Sequence, residues 1–120
     1  MLTTEETTQA VVTALEDIKA VNIHLIDTSK RSSLFERLII ASANSPRQTR
    51  ALADNVCKQL KLRGVEVIGT EGEDSGEWVL VDLGCVVVHI IQPAVRAYYQ
   101  LEELWDKNYK SPIPMPHNRP

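Results

Sequence analysis

The chain reads as a single α/β domain built on a mixed β-sheet flanked by helices, and three observations carry that expectation. A capping box followed by a helical stripe opens the chain, a stronger helix start at Ser45-Pro46 follows an apolar run, and two apolar segments meet at Leu83-Gly84 as a hairpin. With 120 residues, 43% of them hydrophobic, there is material for one modest core and not for two. The order α-β-β-α-β-β-β-α fits neither an all-β fold nor a helix bundle.

Each element has a local reason. Thr3-Thr4-Glu5-Glu6 places an N-cap hydroxyl three residues before a glutamate, and Val11, Leu15 and Ile18 then recur at helical spacing, so a first helix is expected to about Lys19. Val21 to Ile26 alternates like a strand, and Asp27 to Ser33 is a polar connection. Phe35 to Ser42 is the second strand. Ser45 can accept from the free amides of a first helical turn, Pro46 has no amide to leave unpaired there, and Gln48 completes a Ser-x-x-Gln box. Leu52, Val56 and Leu60 form the stripe of this second helix; Lys58, Lys61 and Arg63 complement the negative end of its dipole, and Gly64 ends it.

Val65 to Ile68 is expected as a short strand, separated by the glycine-rich acidic loop Gly69 to Gly76 from the strand Glu77 to Asp82. Leu83-Gly84 turns into Cys85 to Ile91; both strands are apolar on both faces, which predicts central strands covered by helices on part of each side. Pro93 opens a last helix with Val95, Tyr98 or Tyr99, Leu101, and Leu104 with Trp105 at core-facing spacing. The domain is placed at residues 1–105, and residues 106–120, with Pro112, Pro114, Pro116 and Pro120, are expected to be an extended or disordered tail.

The distribution of charge narrows the function. Gly64 to Asp82 contains no Lys or Arg but carries Glu66, Glu71, Glu73, Asp74, Glu77 and Asp82. Nucleic-acid affinity comes largely from Lys and Arg displacing counterions, so this segment would repel a phosphate backbone and attract a basic protein. No stretch approaches the roughly 18 apolar residues of a membrane span, and the acidic N-terminus is unlike a signal peptide, so a cytoplasmic protein is expected. Cys57 and Cys85 lie in apolar segments without companions at ligand spacing, and read as buried thiols rather than a disulfide or metal site.

Catalytic patterns find little support. The corner Ala43-Asn44-Ser45-Pro46 could hold an anion on helix amides, but it lacks the glycines and the lysine of a phosphate loop, so a helix cap is the better reading. A nucleotidyltransferase needs two carboxylates one residue apart on a strand to hold metal ions, whereas Glu77 and Asp82 are five apart and on opposite faces. His89, among valines and isoleucines, reads as a hydrogen-bonded core histidine, and no nucleophile elbow accompanies it. Trp78 suits a core edge or an interface anchor; on a strand it shares one face with Leu80 and Asp82, which would offer a partner an aromatic, an aliphatic and an acid.

Taken together, Leu38 to Gln48, Glu71-Gly72, Trp78 to Gly84, Val87-Val88-His89, Arg96 and Tyr99 to Trp105 resemble the ribosomal silencing factor family, also called iojap-like, over Thr8 to Trp105. The resemblance implies a nucleotidyltransferase-like fold without the catalytic carboxylates, no enzyme activity and no cofactor. It implies binding to the large ribosomal subunit through ribosomal protein uL-fourteen, blocking of subunit joining and repression of translation when nutrients are short, with large-subunit assembly a role of organelle members. It allows a homodimer. Trp78, Asp82, Leu83, His89, Arg96, Tyr99 and Leu104 match recurrent family positions and are the candidate partner-binding residues and their support. Glu71, Glu73, Asp74 and Glu77 are the candidates for electrostatic steering.

The sequence departs from the family at Ala43, where glycine is usual, at Glu36, where aspartate is usual, and at Cys85, where an acid commonly follows Asp-x-Gly. The last removes one expected acidic contact. No DNA and no membrane are expected as partners; Lys107, Lys110 and Arg119 in the tail could make a minor contact to ribosomal RNA. The rival reading is a divergent nucleotide-binding protein or nucleotidyltransferase.

Overall fold

The computed structural model describes residues 2–30 and 32–99. Helix α1 (Thr4–Asp17) begins with a complete capping box: the Glu6 amide donates to Thr3 Oγ1 at 3.1 Å while the Thr3 amide donates to Glu6 Oε1 at 2.9 Å. Hydrogen bonding from the Thr3 amide, and then from its side chain, holds the Glu6 carboxyl below its ordinary pKa. The helix stops two residues before the expected end, because Lys19 adopts φ +63° and the Ala20 amide turns back to the Leu15 carbonyl. A lysine thus fills a position that usually takes glycine.

Strands β1 (Val21–Asp27) and β2 (Arg37–Ser42) pair antiparallel, with a bulge between Val21 and His24 where Asn22 takes φ +52°. Helix α2 (Pro46–Leu62) starts on Ser45, whose Oγ accepts from the Gln48 amide at 3.1 Å, and ends in a Schellman turn at Gly64. The expected second half of the Ser-x-x-Gln box is replaced by a tertiary contact. Gln48 Oε1 accepts instead from the Asn44 amide, and its Nε2 donates to the carbonyls of Ile18 and Lys19, tying α2 to the end of α1.

The remaining elements are β3 (Gly69–Glu71), β4 (Trp78–Asp82), β5 (Val86–Ile91) and α3 (Pro93–Tyr99). The strand expected at Val65 to Ile68 is not one: Val65 and Val67 pack on the core from irregular backbone, and strand pairing begins only at Gly69, opposite Asp82. The alternation that suggested a strand records packing rather than pairing. Cys57 and Cys85, expected to be buried, are half-buried and free, and burial pushes the Cys57 thiol up in pKa, away from reactive thiolate.

The sheet order is β1-β2-β5-β4-β3, with β2 and β5 parallel and the other neighbours antiparallel, so the expected mixed sheet is present. One face, carrying Ile39, Ala41, Val79, Val81, Val86, Val88 and Ile90, is covered by α1 and α2 through Val11, Leu15, Leu52, Val56 and Leu60, and all are buried. Burying each such side chain stabilises the fold by roughly 1.5–3 kcal/mol, so this layer is where the stability resides. The other face is covered unevenly. Leu38, Ile40 and Ile91 are buried with Ile26, and Phe35 and Val95 pack against them, which covers the β1–β2 end; the β5–β4–β3 end stays open.

Candidate functional site

The open end of the second face is a groove. Leu80 and Asp82 of β4 and Val87 and His89 of β5 form its floor, and Leu34, Phe35, Ile68 and Gly84 form its rim, enclosing about 520 Å³. The register explains the floor: Leu80 pairs with His89 and Asp82 with Val87, and directly paired residues share a face. A second depression of about 330 Å³ continues toward the sheet edge over Gly69, Thr70 and Glu71, sharing Ile68, Leu80 and Asp82 with the groove.

The surface is mainly apolar with an acidic border. Leu34 is 83% exposed and Ile68 62% exposed, so two large apolar side chains stand in water beside the apolar floor and extend it into one patch. Asp82 Oδ1 accepts from the Gly84 amide at 2.9 Å, which fixes the carboxylate at the turn and leaves its other oxygen for a partner. Glu71 pairs across from Leu80 and brings a second carboxylate to the same face. Among the described residues no cluster of three His, Cys, Asp or Glu side chains could hold a metal ion, and no helix is long and apolar enough to cross a membrane.

His89 lines the groove, and Trp78 stands behind it, packed on the cluster of Ile26, Leu38, Ile40 and Ile91. The indole Nε1 donates to His89 Nδ1 at 2.8 Å with the ring centroids 5.8 Å apart, so the imidazole is the neutral tautomer bearing its hydrogen on Nε2. Burial lowers the His89 pKa from 6.5 to about 4, so near neutral pH it is an uncharged acceptor that fixes the tryptophan. As expected, His89 is a hydrogen-bonded core histidine. Its bond to Trp78 makes the two a unit.

The other candidate positions fall in different places. Leu83 is 5% exposed within the helix-side core, so it supports the turn and offers a partner almost no area. Arg96 is half-buried and donates through Nη1 to the Asn22 carbonyl at 2.7 Å and to Ser42 Oγ at 2.9 Å, pinning α3 across β1 and β2. Tyr99 ends α3, while Leu104, the rest of the expected last helix and the proline-rich tail lie outside the described residues. Glu73, Asp74 and Glu77 are exposed on the loop before β4, with Glu73 Oε1 accepting from Thr70 Oγ1 at 2.9 Å. The groove therefore gathers Asp82 and His89 from the candidates, with Glu71 in the adjoining depression and Trp78 bonded behind His89, and adds Leu34, Phe35, Ile68, Leu80 and Val87.

Of those additions only Leu80 had a signal, its spacing from Trp78. Leu34 sits after a polar run and Ile68 after a strand-like one, and nothing local announces that the fold brings them to one rim. The Ser45 corner, by contrast, has its hydroxyl accepting from the Gln48 amide and its carbonyl accepting from the Thr49 amide and hydroxyl. That leaves a phosphate few donors there.

A family model described as "Ribosomal silencing factor during starvation" matches residues 2–119. The chain is 54% identical over 101 residues to "Ribosomal silencing factor RsfS" of Chromobacterium violaceum, covering 84% of this chain and 83% of that protein. It is 31% identical over 98 residues to the mouse "Mitochondrial assembly of ribosomal large subunit protein 1", covering 79% of this chain and 43% of that one. A crystal structure of a Chromobacterium violaceum protein superposes with a TM-score of 0.87 at 46% identity, covering 97% of this chain and 98% of that one.

Proposed function

The chain belongs to the ribosomal silencing factor family, and from that premise we propose that it represses translation by docking the open sheet face on the large ribosomal subunit and sterically blocking the small one. Ribosomal protein uL-fourteen is the proposed contact, and nutrient limitation the proposed condition. The single observation that carries the reading is the groove of Leu34, Phe35, Ile68, Leu80 and Val87 bordered by Asp82 and Glu71. Ribosomal proteins are generally basic; the acids steer one toward the face, and the apolar floor supplies the area that is buried on contact.

No catalytic step is assigned to the face. The imidazole in the groove, His89, is a neutral hydrogen-bond acceptor fixed on Trp78, and among the described residues no carboxylates are grouped as a metal site requires. The name of the mouse relative supports the large subunit as the partner and leaves room for a role in its assembly. Action in the cytoplasm follows from that partner in a bacterial-type member.

Cosedimentation tests the proposal. The protein is expected to travel with free large subunits and not with joined ribosomes, and to dissociate progressively as salt is raised, because exposed acids lose their pull beyond a Debye length of roughly 10 Å at 0.1 M. Finding it only in the soluble fraction at low salt sinks the reading.

A further inference from the structure

We infer that Arg50 is a positioning residue of the docking face, holding the loop Gly72 to Glu77 so that Trp78 and the acids beside it stand in binding position; this rests on the functional reading above. The half-buried Arg50 side chain leaves α2 and donates through Nε to the Glu73 carbonyl at 2.7 Å and through Nη2 to the Asp74 carbonyl at 2.9 Å. The guanidinium fork matches two successive carbonyls, which the single ammonium of a lysine cannot do. These bonds go to backbone, so the strap orders the loop without engaging the carboxylates of Glu73 and Asp74.

The rest of the loop is built for the same closeness. Gly76 has φ +71°, and a Cβ there would lie 2.7 Å from Pro46 Cβ, so the loop lies directly on the first turn of α2. Gly72 has φ +89°, with no room for a Cβ against the Trp78 carbonyl. Between them the Gly76 amide donates to the Gly72 carbonyl at 3.1 Å, and Gln92 fastens the far side, its Nε2 donating to the Gly76 carbonyl at 3.2 Å and its amide to the Glu77 carbonyl at 2.9 Å. Arg50 is the side-chain link from α2 to the middle of this loop. The next residue after the loop is Trp78.

The charge of Arg50 opposes the steering field that its geometry serves, and the two roles therefore predict opposite signs. As a charge alone, Arg50→Ala makes the surface more acidic and should tighten binding to a basic partner, while Arg50→Lys changes nothing. As a strap, both substitutions weaken binding.

The experiment measures binding of wild type, Arg50→Ala and Arg50→Lys to purified free large ribosomal subunits, with amide hydrogen exchange on each protein alone. Both variants are expected to bind about tenfold more weakly, equivalent to ~1.4 kcal/mol, with faster exchange confined to the loop around Gly76. Unaltered binding by Arg50→Lys, or tighter binding by Arg50→Ala, overturns the inference alone. Faster exchange throughout α2 makes Arg50 a general support of the fold and also overturns it. Absence of wild-type binding overturns the functional reading and this inference with it.

Discussion

Acidification from pH 8 to pH 5 should destabilise the protein through His89. Below pH 6.5 the unfolded chain takes up a proton that the folded chain refuses until about pH 4, so the stability contributed by neutral His89 is complete above pH 6.5 and is lost as pH falls through that window. With those two pKa values the loss by pH 5 is at most ~2 kcal/mol, and the limit well below pH 4 is at most ~3.5 kcal/mol, since each unit corresponds to about 1.4 kcal/mol. The assay is urea unfolding of wild type and His89→Asn at pH 5, 6, 7 and 8. An asparagine can accept the Trp78 indole hydrogen near the position of Nδ1 but cannot be protonated, so the variant should be weaker at pH 8 and lose less on acidification. The exposed carboxyls of Glu6 and Asp27 are held low by hydrogen bonds from Thr3 and Ser29, and because they are the same in both proteins their contribution cancels in the comparison. Equal pH slopes for the two proteins would refute the assignment of a neutral, bonded imidazole.

Lys19→Gly should stabilise the protein by about 1 kcal/mol, because a left-handed residue with a Cβ carries a cost of that order; a lower urea midpoint would show that the lysine does something else there. Gly72→Ala should cost about 2–4 kcal/mol, from its positive φ and the overlap of a Cβ with the Trp78 carbonyl, and a thermal melt unchanged from wild type would contradict the packing of the loop. Thr3→Ala should cost about 1 kcal/mol by removing the cap of α1, read as a shift in the denaturation midpoint without a change in slope.

What could be read in the sequence follows from the range over which each feature is determined. Thr3 with Glu6, Ser45 with Pro46, and Gly64 are local signals, since a cap needs only its own first or last turn, and all three stand where expected. The hairpin of β4 and β5 was equally local. Val65 and Val67 misled because alternation reports burial on one side, which irregular backbone can also supply, and the true edge strand is the three residues Gly69–Glu71. Gln48 was half-read: its place in the helix start was visible, its reach to the carbonyls of Ile18 and Lys19 was not.

The site divides in the same way. Trp78, Leu80 and Asp82 share a face by strand period alone, and the structure leaves each of them half-buried on that face. The rim needs the fold: Leu34, Ile68 and Gly84 come from three connections that meet only when β5 is inserted between β2 and β4. Leu83 and Arg96 were singled out from recurrence in the family, which does not separate a residue that touches a partner from one that holds the scaffold. Leu83 is buried, and Arg96 is bonded to Asn22 and Ser42, so both at least support the scaffold.

The central claim is that the open sheet face prevents subunit joining, and the joining rate of purified large and small subunits, followed by light scattering, tests it most directly. Leu34→Ser with Ile68→Ser alters two largely exposed side chains and should leave the thermal midpoint nearly unchanged. The account predicts that the wild type slows joining and that the double variant, at the same concentration, does not. Equal inhibition by both proteins, or none by the wild type, would contradict it.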